Sequence, residues 1–390
     1  MRLLLASLRF FVALLVFQSF FLQELAAVGA YPWPQKVLQS DSSVLTIRQH
    51  GDEWYHWTST ADGYRIAQNK EGFYEYVSVL KSGSPQLTGL RASNPGQRTA
   101  GEQALLQFLP KGSGVPPGER DRIRGERRTA LLKSGTAGHL FAPEGEQRML
   151  VILATFSDTE ATYSREAFDE LMNGVNGSFR HYYMENSGGR LVMESVVTAW
   201  VRLPNSRAYY APEGKWGEFA LHAVQAADAA GVNFAEFDNN GNGVVEGVAI
   251  IHQGPGKEVT GNEEDIWSHS WTLSAAGYTS SQRRFDGVLV DSYTAQPEMR
   301  NSRGDLNTIG VIAHEFGHNL GLPDYYDTIT EDENDFDGTG LWDMMAQGSY
   351  NGSPAGASPA HHNPLSKMEL GWVEEMVLET AGRVGLAPVQ

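Results

Sequence analysis

The stretch HEFGHNLGLPD, positions 314–324, constrains the fold of this 390-residue chain more than any other segment. Apolar residues recur at helical spacing before and within it: Ile309, Ile312, Phe316 and Leu320. The spacing predicts a helix, with Asp305 or Asn307 available as its N-cap. Gly321 permits the positive φ that ends a helix, and Pro323 prevents continuation, so the chain must turn directly afterwards.

The polar residues of this stretch have the spacing of a metal site. His314 and His318 lie one turn apart on one helix face, so both imidazoles can bind one zinc ion. Asp324 returns after the turn as a third ligand, which leaves one coordination position open. Glu315 projects beside the metal, where its carboxylate can take a proton from a water molecule that the metal activates. The extension through Asp324 makes the motif far more specific than HExxH alone, which also occurs in helices that bind no metal.

A methionine in the downstream segment GLWDMMAQGSYNG adds to this prediction. We expect Met345 on a tight turn beneath the zinc ligands, as in metzincin peptidases, with Met344 as the alternative. An ordinary place in the apolar core is the default interpretation of an isolated methionine. The short distance from the extended metal motif favours the turn.

Several segments together resemble the immune inhibitor A family of secreted metzincin peptidases. They are IGVIAHEFGHNLGLPDYYD, LWDMMAQGSYNG, FRHYYMENSGGRL, DIWSHSW and NPLSKMELGW, with HGDEWYHWTSTADGYRI in the amino-terminal part. The resemblance implies a zinc-dependent endopeptidase, exported as a precursor, with His314, His318 and Asp324 as ligands and Glu315 as general base. Nearby acidic residues are alternative third ligands: Asp327, Glu331 and Glu333.

The first thirty residues have the order of a secretory signal. Arg2 and Arg9 precede an apolar run from Phe10 to Leu22, and small residues follow up to Ala30. The sequence therefore predicts export, removal of residues 1–30 and no stable membrane insertion afterwards. An uncleaved anchor is the alternative, although the apolar run is short for a bilayer span of about 20 residues.

The rest of the sequence divides into three parts. Residues 31–95 alternate β-branched or aromatic with polar residues, which predicts a small β-rich precursor module. Residues 96–146 are rich in Gly, Pro, Ser and charge, which predicts a linker; its basic cluster, Arg120 to Lys133, is either a solvated short helix or a processing site. Predicted strands and helices alternate through residues 147–390, so we expect a metzincin-like α/β (α+β) zinc peptidase domain with a mixed sheet and the active-site helix.

The composition limits how the fold is stabilised and which partners it takes. The chain has no cysteine, so disulfides are excluded and bound calcium is an alternative source of rigidity. The formal net charge of −17 argues against a nucleic-acid partner. We expect protein or peptide substrates, and the sequence does not indicate an oligomeric state.

Two oxygen-rich segments are candidate calcium sites. In DNNGNGVVEG, Asp238, Asn240 and Asn242 match the first half of an EF-hand loop, but position twelve is Ala249 rather than glutamate. A glycine-rich β-turn is the alternative there. The acidic segment YYDTITEDENDFDGTG offers two further candidates, with a solvated loop as the alternative: Asp335 and Asp337.

The sequence as a whole predicts a secreted zinc endopeptidase with Glu315 as general base. Two alternatives stay open: a catalytically silent, calcium-braced surface or adhesion protein on a metzincin fold, and a zinc hydrolase of non-peptide substrates. Latency of the precursor cannot use a cysteine, so the hypothesis is that His50, Asp52 or Glu53 occupies the open zinc position.

Overall fold

The computed structural model describes residues 28–52, 55–80, 85–115, 141–326 and 338–374. Its first part is a six-stranded sheet in which each strand pairs antiparallel with the next along the chain. The strands are β1 (Gln35–Leu38), β2 (Val44–Gly51), β3 (His56–Thr60), β4 (Arg65–Gln68), β5 (Tyr74–Val79) and β6 (Pro85–Arg91). Alternate residues of β2, Leu45 and Ile47, face the core of this sheet, as the period of two in the sequence predicts.

Part of the segment 96–146, for which the sequence predicts a linker, forms a helix directly after this sheet. Helix α1 (Ala100–Leu106) begins at Thr99 with a capping box, in which the Thr99 side chain and Glu102 each accept the other's backbone N–H. Leu106 packs into the core of the sheet. The sequence did not predict this short helix because glycines and prolines around it obscure the helical spacing of its apolar residues. The basic cluster at 120–133 lies outside the described residues.

The second part is built on a mixed sheet, as the sequence predicts. Its strands are β7 (Gly145–Thr155), β8 (Leu191–Val197), β9 (Val201–Arg202), β11 (Val248–Pro255), β12 (His269–Thr272) and β15 (Ser292–Met299). The order is β12-β15-β11-β7-β8, and β9 also pairs with β7. All pairs are parallel except β12 with β15, so an antiparallel strand ends the sheet on that side.

A small three-stranded sheet and seven further helices complete the described part of the chain. The small sheet has the order β10 (Val244–Val245), β14 (Val288–Val290), β13 (Arg284–Phe285). The helices are α2 (Arg165–Asn173), α3 (Phe179–Asn186), α4 (Arg207–Tyr210), α5 (Trp216–Ala229), α6 (Lys257–Thr260), α7 (Ile309–Asn319) and α8 (Pro364–Glu369). No helix in these ranges combines the length and apolar content needed to cross a bilayer.

Helix α7, which carries the metal motif, packs on one face of the mixed sheet, and α5 packs on the other. Val151 and Leu153 of β7 contribute to the core that contains α7, whereas Leu150 and Ile152 contribute to the core that contains α5. All 11 residues of α7 are buried, because the helix lies inside the domain instead of on its surface. The central sheet therefore holds the motif in a rigid, water-poor environment.

Candidate metal centre

The two ends of α7 are set by local chemistry. Thr308, rather than the predicted Asp305 or Asn307, is the N-cap residue, and its hydroxyl donates to the carbonyl oxygen of Ala355 at 2.8 Å. The helix ends at Asn319, and Gly321 turns the chain away with a φ of +87°, which is readily available only to glycine. This turn directs the chain back along the helix toward its histidines.

Three side chains converge after this turn. Asp324 Oδ1 lies 3.1 Å from His314 Nε2 and 3.7 Å from His318 Nε2. One ligand atom from each of the three residues lies within 4.8 Å of the other two. The structure thus brings together the three residues that the sequence predicts as zinc ligands.

Two backbone carbonyl groups fix the orientation of the imidazoles. His314 Nδ1 lies 2.8 Å from the carbonyl oxygen of Met344, and His318 Nδ1 lies 2.8 Å from that of Leu322. Because a carbonyl oxygen only accepts, each Nδ1 carries the proton, and each Nε2 keeps a lone pair directed at the point of convergence. This is the outer-shell arrangement that zinc-binding histidines use.

The three converging side-chain atoms are arranged to bind a metal ion and not to form hydrogen bonds with one another. Among the described residues, His314 Nε2, His318 Nε2 and Asp324 Oδ1 are buried and have no hydrogen-bond partner. The 3.1 Å approach of Asp324 to His314 is an ion-pair distance without hydrogen-bond geometry. Buried polar atoms without a partner are costly, and two imidazole nitrogens with one carboxylate are a donor set that zinc accepts with one position open.

The charges around His314 also favour a cation. Burial by itself lowers the pKa of this imidazole, but the carboxylates of Asp324 and Glu315 outweigh burial and raise the pKa to about 8. For His318 burial dominates and lowers the pKa to about 4. The carboxylates around His314 thus favour a positive charge at this position, as a bound divalent cation would supply.

Glu315 lies beside this cluster and is completely buried. Its Oε1 accepts the backbone N–H of Val28 at 2.9 Å, and its Oε2 has no partner among the described residues. Burial raises the pKa of Glu315 to about 8. A carboxyl group with this pKa can both accept and return a proton at neutral pH.

Both candidate methionines contact the site, in different ways. Met345 is fully buried, and a Cβ added to Gly317 would overlap its sulfur, so the side chain lies directly against the helix beside His318. The carbonyl oxygen of Met345 accepts the backbone N–H of Tyr325 at 2.8 Å. Met344 contributes its carbonyl to His314. The sequence pattern suggested that one methionine lies beneath the site. In the structure the side chain of Met345 packs against α7, and the backbone carbonyl of Met344 bonds to His314.

Asp343 holds the turn that carries these methionines, and the sequence analysis missed it. Its Oδ1 accepts the N–H groups of Met345 and Asn363, both at 3.2 Å. Its Oδ2 accepts the Asn363 side-chain amide at 2.6 Å and the Thr339 hydroxyl at 3.1 Å. Asp343 is completely buried. Its position next to Met344 in the sequence was a signal, but two of the four donors belong to Asn363, which is 20 positions away and could not be recognised.

Part of the amino-terminal segment reaches Glu315. Besides the Val28 contact to Glu315, the Trp267 indole donates to the carbonyl of Val28 at 3.1 Å, and the Tyr350 hydroxyl donates to that of Gly29 at 2.9 Å. Val28 is 1% exposed. Residues 28–30, which the sequence assigned to the leader, therefore lie inside the folded domain in this structure.

The latency candidates chosen from the sequence have other partners. His50 stacks on Trp57 with ring centroids 3.9 Å apart and has its Nε2 2.8 Å from Ser59 Oγ. Asp52 accepts the N–H of Tyr55 at 2.9 Å. Glu53 lies outside the described residues, as do the alternative ligands at 327, 331 and 333. Of the described amino-terminal residues, Val28 is the one bonded to Glu315.

The candidate calcium loop forms a tight turn. Oδ1 atoms of Asp238 and Asn240 both accept the N–H of Asn242 at 3.0 Å, and Asn242 Oδ1 accepts the N–H of Val244 at 2.8 Å. These contacts match the glycine-rich turn that was the alternative interpretation. The other candidates, Asp335 and Asp337, lie outside the described residues.

Comparison with known proteins places this geometry in a family. The family model described as "Immune inhibitor A peptidase M6, catalytic domain" matches residues 157–373, which is more than half of the chain. Immune inhibitor A of Bacillus thuringiensis subsp. alesti is 30% identical over 251 residues, covering 53% of this chain and 35% of that protein. The pre-pro-metalloprotease PrtV of Vibrio cholerae serotype O1 is 29% identical over 240 residues, covering 52% of this chain and 25% of that protein. The aligned regions thus span about a third and a quarter of these relatives. Because the family model matches more than half of its length, the chain belongs to the immune inhibitor A peptidase M6 family.

Proposed function

We propose that the chain is a secreted zinc-dependent endopeptidase. Its main support is the convergence of three partnerless, buried ligand atoms within 4.8 Å of one another, directly beside the buried carboxylate of Glu315. Enzymes that hydrolyse their substrates with the help of a metal ion at neutral pH use this arrangement of a metal site and an adjacent carboxyl group. The names of the relatives, a peptidase family and a metalloprotease, agree with this chemistry.

The residues that would hold zinc are His314, His318 and Asp324. A bound Zn²⁺ would polarise the substrate carbonyl and lower the pKa of water to about 7. Glu315 takes one proton from the attacking water, whose oxygen forms the new bond to the carbonyl carbon. When the carbon–nitrogen bond breaks, Glu315 returns that proton to the leaving nitrogen. Met344 and Leu322 act indirectly, because their carbonyls keep the two imidazoles in the ligating tautomer.

The proposal also holds that the chain is made as an exported, inactive precursor. Val28 bonds to Glu315 and Trp267, and Gly29 bonds to Tyr350, so a substrate cannot occupy the same volume. Removal or displacement of this segment would be needed for activity. Because Val28 and Gly29 bond within the domain, the proposal places the end of the leader before Val28 rather than at Ala30.

Calcium at Asp238, Asn240 and Asn242 stays a prediction. Glu246, eight residues after Asp238, is buried and has one carboxylate oxygen without a partner among the described residues. Removing calcium from the purified protein and measuring thermal stability would test it.

The test of the proposed function compares the activated protein with its Glu315→Gln variant. Hydrolysis of unfolded casein and zinc content are measured for both. We expect zinc in both proteins and hydrolysis only by the unmodified one, with a loss of at least about 10³-fold in the variant. Full activity of the variant, or no zinc in either protein, would refute the assignment.

A further inference from the structure

Glu258 is a buried carboxyl group that the proposed reaction does not use. It is the second residue of α6, is 1% exposed and forms no ion pair within the described residues. Burial raises its pKa to about 7, and the nearby Asp265 adds to this. A Cβ added to Gly256 would overlap both oxygens of the carboxyl group, so the chain leaves room for it with a glycine. A buried carboxyl group without a cation is costly, and such costs are typical of functional sites.

The carboxyl group of Glu258 holds the residue that follows Trp267. Ser268 Oγ donates to Glu258 Oε1 at 2.7 Å, and the backbone N–H of Ser268 donates to Oε2 at 3.2 Å. On the other side of Trp267, the carbonyl oxygen of Ile266 accepts the N–H of Lys257 at 3.0 Å. Helix α6 therefore fixes the backbone on both sides of Trp267.

Trp267 reaches the peptide segment that lies beside Glu315. Its Nε1 donates to the carbonyl oxygen of Val28 at 3.1 Å, and the backbone nitrogen of Val28 donates to Glu315 Oε1 at 2.9 Å. The indole is completely buried and stacks on His56, with ring centroids 4.6 Å apart. Because an indole N–H only donates, its partner must be an acceptor such as a backbone carbonyl. One residue of the segment is thus bound at both its nitrogen and its carbonyl group.

We propose that Trp267 binds the backbone carbonyl of the substrate residue whose nitrogen is released by hydrolysis, and that Glu258 is the positioning residue that holds Trp267 in place. This inference rests on the proposed peptidase function and extends it to recognition of the substrate backbone. Every residue carries the same carbonyl group, so the contact does not select among side chains.

The proposed reaction itself requires a peptide nitrogen beside Glu315. The leaving nitrogen receives its proton from this carboxyl group, so it must come within about 2.6–3.2 Å of it. The nitrogen of Val28 is at that distance. A substrate residue with its nitrogen in this place and the same chain direction has its carbonyl group at the indole of Trp267. The contact forms on binding and persists during bond cleavage, so it stabilises the bound substrate and the transition state equally.

Glu258 supplies acceptors that an apolar residue of the same size cannot supply. Ser268 is completely buried, so without Glu258 its N–H and O–H groups would lose their acceptors in the interior. Ser268 directly follows Trp267, and a shift of its backbone moves the indole. Glutamine in place of Glu258 keeps one oxygen acceptor, whereas leucine keeps none, so the two substitutions separate hydrogen bonding from volume.

The first experiment tests the positioning role and needs no catalysis. The full chain, with residue 28 retained as verified by intact mass, is labelled with isotope-enriched tryptophan for NMR, and Trp267→Phe identifies the indole N–H signal of Trp267. We expect Ser268→Ala and Glu258→Leu to move this signal upfield because the hydrogen bond to the carbonyl lengthens. Glu264→Leu, at an exposed position, is the control and should leave it unchanged. Ser268→Ala keeps the test valid if Glu258→Leu does not fold, and an unmoved signal would overturn the positioning role.

The second experiment measures kcat and KM of the activated protein on a peptide that is cut at one bond. We expect Trp267→Phe to raise KM about five- to tenfold, as the loss of one neutral hydrogen bond implies, with kcat within about twofold of the parent. Glu258→Leu should raise KM in the same way, and Glu258→Gln should raise it less. Trp271→Phe is the matched control and should keep the KM of the parent, because its buried Nε1 has no hydrogen-bond partner among the described residues.

A double variant shows whether the clamp acts through Trp267. Ser268→Ala should raise KM when Trp267 is present and have no further effect in the Trp267→Phe background, because residues that act through one contact are not additive. KM changes that multiply in the double variant would mean that Glu258 and Ser268 act by another route, and the positioning role would be wrong.

These outcomes separate this inference from the proposed function. Hydrolysis that depends on Glu315, with an unchanged KM in Trp267→Phe, would overturn the substrate contact and leave the peptidase intact. Absence of hydrolysis in the parent would refute the peptidase and with it the substrate contact, whereas the indole signal would still decide whether Glu258 positions Trp267. A raised KM in Trp267→Phe, with no further effect of Ser268→Ala, would support both parts.

Discussion

The backbone carbonyl of Met344 accepts a hydrogen bond from His314 Nδ1 at 2.8 Å, so the turn that contains Met344 fixes the orientation of this imidazole. The conformation of this turn depends on Asp343, which is completely buried and accepts four hydrogen bonds. The first prediction follows from this dependence.

Asp343→Asn should weaken metal binding without touching a ligand. The new amide group would face the donor of Asn363, so the turn and its Met344 carbonyl should shift. We expect a 10- to 100-fold loss of zinc affinity, roughly that seen for outer-shell changes, measured by competition with a chelator. Asp228→Asn, at an exposed position of α5, is the control. Unchanged affinity in Asp343→Asn would show that the turn does not orient His314.

Removal of the metal should destabilise the protein by an amount that grows with the logarithm of the zinc affinity. Binding to the folded chain alone adds about 2.7 kcal/mol at a free zinc concentration of 100 Kd. We therefore expect chelation to lower Tm, and titration with zinc to restore it. His318→Ala should lose this zinc response, whereas His181→Ala, at a partly exposed position of α3, should keep it. A zinc response that survives in His318→Ala would place the metal elsewhere.

Glu258 should make stability fall as pH rises. It is 1% exposed, and burial raises its pKa from the ordinary 4.5 to about 7. Between these values the unfolded chain releases a proton that the folded chain retains, so the folded state loses up to about 3 kcal/mol relative to pH 4.5.

Glu258→Gln removes this contribution because the amide stays neutral. The unfolding free energy of the variant relative to the parent should therefore increase between pH 5 and pH 8, as measured by urea unfolding with chelator present in both. Glu71→Gln, at an exposed position, is the control, and its unfolding free energy should change with pH as that of the parent does. A constant difference for Glu258→Gln would mean that Glu258 is ionised throughout.

Gly310→Ala should separate α7 from the segment that contains Tyr350. A Cβ at Gly310 would overlap the backbone carbonyl oxygen of Ser349, which cannot move as a flexible side chain can. We expect a loss of about 1–3 kcal/mol in unfolding free energy. In Gly101→Ala the new Cβ meets only Thr99 Oγ1 at 3.9 Å, so that variant should be neutral or gain up to about 1 kcal/mol from helix propensity. Equal effects of the two substitutions would contradict the close packing at Gly310.

The amino terminus of the exported protein tests the boundary of the leader. Val28 and Gly29 make hydrogen bonds with Glu315, Trp267 and Tyr350, so we expect the precursor to begin at or before Val28. Amino-terminal sequencing before activation distinguishes this from Tyr31, the first residue if cleavage follows Ala30. A start at Tyr31 would remove Val28 from the exported protein, and its latency would then need another explanation.

The parts of the site that could be predicted are those that one short segment encodes. The spacing from His314 to Asp324 fixes the helix face, and Gly321 fixes the turn, so three ligand positions follow from local rules. The Val28 contact joins residues 287 positions apart, and no local pattern carries that information. Helix α1 was missed because its local pattern is too short. Its seven residues are too few to establish a helical period within a glycine- and proline-rich segment. Thr308 replaced the predicted N-caps because tertiary contacts to Ala355 decide where the helix begins.

The complete burial of α7 has a consequence for the metal. A helix whose residues all face the interior cannot fray or open locally, so its amide hydrogens should exchange with deuterium only when the whole domain unfolds. Two of the three ligands are then already ordered before any ion arrives. Little of the binding free energy is spent on ordering the scaffold, and the affinity for the metal rises and falls with the integrity of the entire domain.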